Sequence, residues 1–502
     1  MPETPLPDPR RWKALVFIAL AQLMVVLDAT IVNIALPSAQ ADLHISDGNR
    51  QWVITAYALA FGGLLLFGGR IADLWGRKRA FVTGLIGFAL ASAFGGVAVN
   101  TAMLLSARAL QGVFGALLAP AALSLLAVTF SEAKERAKAF GIFGAIAGGG
   151  GALGLLLGGV FTEYLNWRWT FFVNIPIAVI AVAGAVAVVR EPAGSRNSSR
   201  LDIPGVVLAT LGLVSLVYGF TRAETDGWTA GLTLGLFVAA AVLLAAFVVV
   251  ESKVASPLLP LRVVADRNRG GVYAALGLAS IGMFGLFLFL VYYLQGVKHY
   301  SPVSSGLAFL PMMAMMIIGS TQIGARLMMR VPARWLMFPG FLLAAAGQAL
   351  LTGIDVDTPY ATGILPGLLI MGLGMGTAFM PAMSLATHGV QARDAGVASA
   401  MVNTSQQVGG AIGTALLNTI AASAVTDYLK SHASEAAASP QAAKLLGLNA
   451  TVHSYQTGIT WAVGILTLAA VVSLVFVNAG RPDAAQGAKA ESAEDAVPVM
   501  AH

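Results

Sequence analysis

GGRIADLWGRKR, residues 68–79, sets four cations and one carboxylate into twelve positions between two long apolar runs. A segment that polar does not sit in hydrocarbon, whereas the runs ending near Leu66 and beginning at Ala80 are each long enough to cross about 30 Å of it as helices. The stretch therefore reads as a short hydrophilic turn between two spans, tethered to one membrane face.

Outward from this turn the same alternation recurs. The chain has 502 residues, 57% of them hydrophobic and only 11% charged, too few charges to cover a soluble protein of that size. Its apolar runs are continuous rather than alternating, which selects helices and excludes a β-barrel. Spans are expected at about 13–36, 51–68, 80–99, 102–129, 139–162, 168–189, 203–220, 228–250, 270–294, 303–324, 335–353, 360–385, 396–421 and 456–478. The expected fold is thus an all-α integral membrane protein with fourteen transmembrane helices. The first run, Ala14 to Leu36, exceeds a signal-peptide core and lacks a small-residue cleavage site, so it reads as a retained span.

The net charge of +6 reports topology rather than an acidic partner. In this arrangement 23 of the 30 Lys and Arg fall on the face that carries both termini, 6 on the other, and Arg108 lies inside a span. The positive-inside rule then places both termini in the cytoplasm. Nucleic acid is given no role. Cys is absent, the six His do not pair at metal spacing, and no GxxxxGK[ST] loop occurs. Disulfides, metal sites, cofactors and ATP drive are therefore not expected, and the chain does not read as an enzyme.

A faint internal repeat lays GARLMMRVPAR (324–334) on GGRIADLWGRK (68–78), with Met329 in place of Asp73 and Pro332 in place of Gly76. It suggests two related six-helix bundles, residues 1–190 and 270–480, with a linker and two inserted spans over 191–269 and a disordered tail over 481–502. The segment 422–455, between the last two spans, is the longest external loop and has room for a surface helix.

Several stretches, taken together, resemble the major facilitator superfamily, and more narrowly its fourteen-span drug:proton antiporters of the EmrB/QacA type. LDATIVNIALP (27–37) looks like the first-span motif of that subgroup, and GRIADLWGRKR like the superfamily's loop motif. RALQGVFGA (108–116) looks like the fourth-span motif, GGGGALGLLLGG (148–159) resembles the antiporter motif of span five, and WRWTFFVNIP (167–176) follows it. Where the family usually has a Gly-Pro pair in span five, this chain has Gly154-Leu155. The resemblance implies an alternating-access exporter of hydrophobic small molecules such as drugs or antibiotics, with the proton as coupling ion, in a bacterial cytoplasmic membrane. It also implies a conformational latch at Gly69, Asp73, Gly76, Arg77 and Lys78, in which Asp73 meets a basic side chain and a helix N-terminus of the other bundle and holds the cytoplasmic side shut.

Read as residues, Asp28 and Arg108 are the expected proton-coupling pair, Asp28 carrying the proton or meeting a cationic substrate. A carboxylate in mid-span persists only facing protein or water. Eight residues from Leu36, Asp28 lies roughly 12 Å below the outer surface, and Arg108 about 9 Å below it. Arg108 would hold the charged carboxylate when adjacent and release it when the bundles rock; the alternative is a static ion pair that fixes helix register. Gly144, Gly148, Gly151, Gly154 and Gly158 make a smooth face on span five, either a seam between the bundles or ordinary tight packing. Asn33, Tyr57, Gln111, Met312, Met316, Asn403 and Gln407 are the expected lining of a substrate cavity, with core filling as the alternative for the Met residues and helix-to-helix hydrogen bonding for Asn403 and Gln407 of span thirteen. No acidic residue falls in spans nine to fourteen, so neutral, monocationic or anionic hydrophobic substrates are expected. The partners are such a substrate, protons and the lipid bilayer, and the protein is expected to be a monomer. Competing readings are export of a lipid or endogenous metabolite, and a transporter-like receptor that moves nothing.

Overall fold

A computed structural model of the chain describes residues 9–130, 133–189, 202–254, 257–328, 330–387, 390, 395–432 and 439–478. Fourteen long helices carry it, here α1 Arg11–Asp42, α2 Trp52–Trp75, α3 Arg77–Gly96, α4 Thr101–Thr129, α5 Ala133–Tyr164, α6 Asn174–Val188, α7 Ile203–Asp226, α8 Gly231–Lys253, α9 Arg267–Tyr292, α10 Pro302–Ile318, α11 Arg334–Ala349, α12 Leu365–Thr387, α13 Ala395–Ser431 and α14 Pro440–Phe476. Among the described residues thirteen segments are long and apolar enough to cross a membrane. The expected span missing from that count is 139–162. It lies within α5, a continuous helix of 32 residues, several of whose side chains lie outside what the structure describes. The expected linker, from residue 190 to 201, and the tail from 481 lie outside them too.

Two boundaries differ from expectation for a physical reason. Residues 68–75 are not a turn but the last two turns of α2, because a helix satisfies its own backbone and loses nothing by continuing past the apolar zone. The chain reverses at Gly76 alone, whose φ of +111° is a conformation that suits only glycine, and α3 starts at the next residue. In the same way the expected loop 422–455 is formed largely by α13 and α14, each 37 residues long where about 20 suffice to cross a membrane.

The repeat has a structural counterpart. A Cβ on Gly68 would lie 2.0 Å from the Ala116 carbonyl oxygen of α4, and one on Gly324 would lie 3.1 Å from the Thr377 carbonyl oxygen of α12. The leading glycine of each copy thus lets the second helix of its bundle approach the backbone of the fourth. The inserted pair α7–α8 lies against α2 and α13, with the Thr419 hydroxyl donating to the Phe220 carbonyl at 2.9 Å.

The bundles meet mainly on the face away from the termini, the far face. The core of the second bundle, which includes Phe309, Phe341 and Met371, continues into the far half of the first through Ile31, Ile34, Leu36, Val53 and Leu155. Phe81, Phe88, Leu118 and Leu125 belong to a separate cluster nearer the termini. Polar contacts close the far face. The Val303 N–H donates to Glu163 Oε2 at 2.9 Å, Gln295 Nε2 to the Ile34 carbonyl at 3.0 Å, and Arg50 Nη2 to Asn418 Oδ1 at 3.3 Å. The Arg50 guanidinium also lies over the Tyr292 ring, and the Tyr292 hydroxyl donates to Gln40.

Candidate functional site

Five helices of the first bundle converge on Asp28, which is fully buried on α1. Arg108 and Gln111, three residues apart on α4, share a helix face and both reach it. Arg108 Nη1 donates to Asp28 Oδ2 at 2.7 Å, and Gln111 Nε2 donates to Asp28 Oδ1 at 2.7 Å. The first residue of α6 supplies the third donor, with Asn174 Nδ2 at 2.8 Å from the same Oδ1. The Ser92 hydroxyl of α3 accepts from Gln111 at 2.7 Å and from Asn174 at 3.2 Å, locking the two amides in orientation.

Arg108 is equally enclosed, at 1% exposure. Its Nε donates to the Val53 carbonyl of α2 at 2.9 Å, its Nη1 also reaches Gln111 Oε1 at 2.8 Å, and its guanidinium lies 4.4 Å from the centre of the Tyr57 ring. Each charge is therefore paired, hydrogen-bonded and backed by dipoles, the condition under which an ion pair persists away from water.

Of the expected site residues the structure joins Asp28, Arg108, Gln111 and Tyr57. Gln111 and Tyr57, expected in the cavity lining, are both buried around the ion pair here, Gln111 by its donors and Tyr57 by its ring face. The Tyr57 hydroxyl has no partner among the described residues, so Tyr57→Phe is expected to leave the thermal stability of the detergent-solubilised protein unchanged or raised. Tyr57→Leu, which removes the ring from beneath Arg108, is expected to lower it. Equal losses in the two variants would show that the hydroxyl is engaged after all.

The remaining expected lining is dispersed. Asn33 donates to the Ala29 carbonyl within α1 at 3.3 Å. Met312 is buried in the second bundle's core and Met316 packs beside it, Asn403 is half-buried on α13, and the Gln407 Cβ lies 2.9 Å from where Gly62 would carry a Cβ.

The glycines of α5 divide between two neighbours. Cβ atoms on Gly154 and Gly158 would meet α1 of the same bundle, at the Thr30 hydroxyl (1.9 Å) and the Ile31 carbonyl (2.7 Å), so these two are not on the seam between bundles. That seam runs one residue further round the helix. The Leu155 carbonyl stands 2.5 Å from a Cβ on Gly306, and a Cβ on Gly159 would stand 2.7 Å from the Pro302 carbonyl, with Gly151 between Thr30 and Met313. The surroundings of Gly144 and Gly148 in α5, and the side chain of Asp73, lie outside what the structure describes. Of the other latch residues, Gly69 packs on Pro120, Gly76 makes the reversal, Arg77 opens α3, and Lys78 Nζ donates to the Val186 carbonyl at 3.0 Å.

The sequence alone does not point to Asn174 and Ser92, nor to Arg50 and Glu163. Asn174 lies inside WRWTFFVNIP, and that was the one available signal; a serine in an apolar helix gives none.

The model of the Major Facilitator Superfamily matches residues 18–414. The chain is 51% identical over 494 residues to the puromycin resistance protein pur8 of Streptomyces alboniger, a match covering 98% of this chain and 96% of that protein. It is 40% identical over 415 residues to the cephamycin export protein CmcT of Amycolatopsis lactamdurans, covering 82% and 85%. Among solved structures, a bacterial homolog of the human lysosomal transporter Spinster, in an inward-facing and unoccupied conformation, superposes with a TM-score of 0.65 at 17% identity, covering 94% of this chain and 97% of that one. At that identity the likeness speaks for the fold.

Proposed function

Because the chain belongs to the major facilitator superfamily, we propose that it is a proton-coupled exporter of hydrophobic small molecules, antibiotics among them, working by alternating access. It is a multi-pass membrane transporter and not an enzyme. The two relatives named for puromycin resistance and cephamycin export support drug efflux as its task.

The observation that carries proton coupling is the Asp28–Arg108 pair, enclosed by helices of one bundle only. A proton taken up by Asp28 would cancel the charge that Arg108, Gln111 and Asn174 all address. Arg108 would keep the Val53 carbonyl and the Tyr57 ring, so its release from Asp28 costs less than exposure to lipid. Loosening this hub frees α1 and α4 to shift together, and re-ionisation restores it. With the far face closed, the proton would leave toward the face bearing the termini, which the positive-inside count assigns to the cytoplasm.

The test is transport by proteoliposomes under an imposed pH step, with a panel beginning with puromycin and a cephamycin. Wild type is expected to concentrate at least one compound in proportion to the step. Asp28→Asn is expected to move it only down its own gradient. If the variant still accumulates substrate in proportion to the step, Asp28 does not carry the proton.

A further inference from the structure

Among the described residues three carboxylates are buried: Asp28, and two that transport through the first bundle leaves unused, Asp202 at 5% exposure and Glu251 at 3%. The latter two belong to the inserted pair. Asp202 caps α7, its Oδ1 accepting from the Gly205 N–H at 2.9 Å. Glu251, in the last turn of α8, accepts through Oε2 from the Leu259 N–H at 2.9 Å. These two backbone donors fix both side chains and leave one oxygen of each over. Asp202 Oδ2 and Glu251 Oε1 have no hydrogen-bond partner among the described residues. They face each other across Gly205, where a Cβ would stand 2.6 Å from the first and 2.7 Å from the second, and the two side chains are within hydrogen-bonding reach.

The surroundings are apolar: Val206, Phe247, Leu258 and Leu259, with Phe67 of α2 and Met401 of α13 packed against them. Arg70 is the charged group that α2 presents to Glu251, and its Nη2 donates to the Pro257 carbonyl at 2.6 Å. Lys253, on the turn of α8 that carries Glu251, points to solvent. Two carboxylates in such a setting cannot both be charged without a large cost, whereas one proton between them satisfies all four oxygens.

We propose that Asp202 and Glu251 hold a single proton between them, a protonatable site separate from Asp28, and that this proton clasps the start of α7 to the end of α8, from which Glu251 holds the segment leading into the second bundle through the Leu259 N–H. The proton is taken from and returned to bulk water, and no other bond changes. Because Arg70 ties the same segment to α2, loss of the proton would loosen the point where both bundles and the inserted pair meet.

Maleimide labelling of the full-length protein tests this without any transport measurement, so it stands or falls independently of the role given to Asp28. The chain has no cysteine, so Leu258→Cys, at a position of 3% exposure, supplies the sole thiol. Its labelling is compared across pH with the same cysteine in Glu251→Gln, whose amide donates to Asp202 at every pH while its carbonyl keeps the Leu259 N–H. The thiolate fraction cancels in the ratio. The expected ratio of wild-type to Glu251→Gln rates rises with pH from the ordinary carboxyl range up to the pair's midpoint, by at most about tenfold per pH unit, the slope for losing one proton, and levels off above it. Asp202→Asn should match Glu251→Gln, and the double variant, with two NH2 groups opposed, should label fast at all pH. A flat ratio, or single variants that label faster than wild type throughout, would overturn the proposal, since both carboxylates would then be charged and held by something else.

Discussion

Replacing Arg108 by leucine is expected to destabilise the protein by about 3–5 kcal/mol, the cost of leaving one member of a buried ion pair uncompensated. The Asp28 carboxylate would keep Gln111 and Asn174 as donors, but amide dipoles replace only part of a guanidinium at 2.7 Å. The Gln111 carbonyl would lose its donor as well. The companion variant decides between pairing and general damage. In Asp28→Asn/Arg108→Leu no charge remains, the Asn side chain can still accept from Asn174 or Gln111, and leucine fills much of the guanidinium's volume. Thermal unfolding in detergent is expected to place the double variant above Arg108→Leu, with the difference between them larger than the cost of Asp28→Asn alone. A double variant no more stable than the single would mean that Arg108 contributes through packing against Tyr57 and Val53, and that its charge is incidental.

What the sequence disclosed about this centre follows from what hydrocarbon penalises. Asp28 and Arg108 stood out because a charge in mid-span is costly and calls for a partner. Asn174 and Ser92 did not, because a neutral polar residue in a membrane helix can satisfy itself on its own backbone and so carries little information. The helices were legible from their apolar runs. Their ends were not: at Gly68–Trp75 and again beyond residue 421 the helix continues into water, where hydropathy falls but the backbone bonds persist. The glycines of α5 show a subtler loss. A series of small residues marks close approach but not to which neighbour, and one step along a helix turns the side chain by about 100°. Gly150, Gly154 and Gly158 face α1, Leu155 and Gly159 face α10, and Gly151 lies between the two. Leu155, the departure from the family's Gly-Pro pair, thus lies on the stripe that meets the other bundle, where its carbonyl approaches Gly306.

This division predicts opposite consequences for two substitutions of the same chemistry. Gly306→Leu puts a side chain where even a Cβ would stand 2.5 Å from the Leu155 carbonyl, and the obstacle is backbone of the other bundle. An overpacked contact costs about 1–3 kcal/mol or more, but this one exists only while the far face is closed. A bundle rotation relieves it, so the cost should appear as a shift of population by roughly tenfold to a hundredfold toward the state open on that face. Gly154→Leu meets the Thr30 hydroxyl and the Leu27 carbonyl inside the first bundle, a contact that rocking two bundles as rigid bodies does not relieve. It should therefore lower thermal stability without redistributing conformations. Thr55→Cys reports the difference, because Thr55 is 1% exposed and hydrogen-bonded to Thr414 across the interface at 2.7 Å. From the far face, labelling of that sole thiol by a membrane-impermeant reagent is expected to accelerate in Gly306→Leu and stay slow in Gly154→Leu. Accelerated labelling in both, or in neither, would mean that the α5–α10 contact is no more a moving seam than the α1–α5 contact beside it.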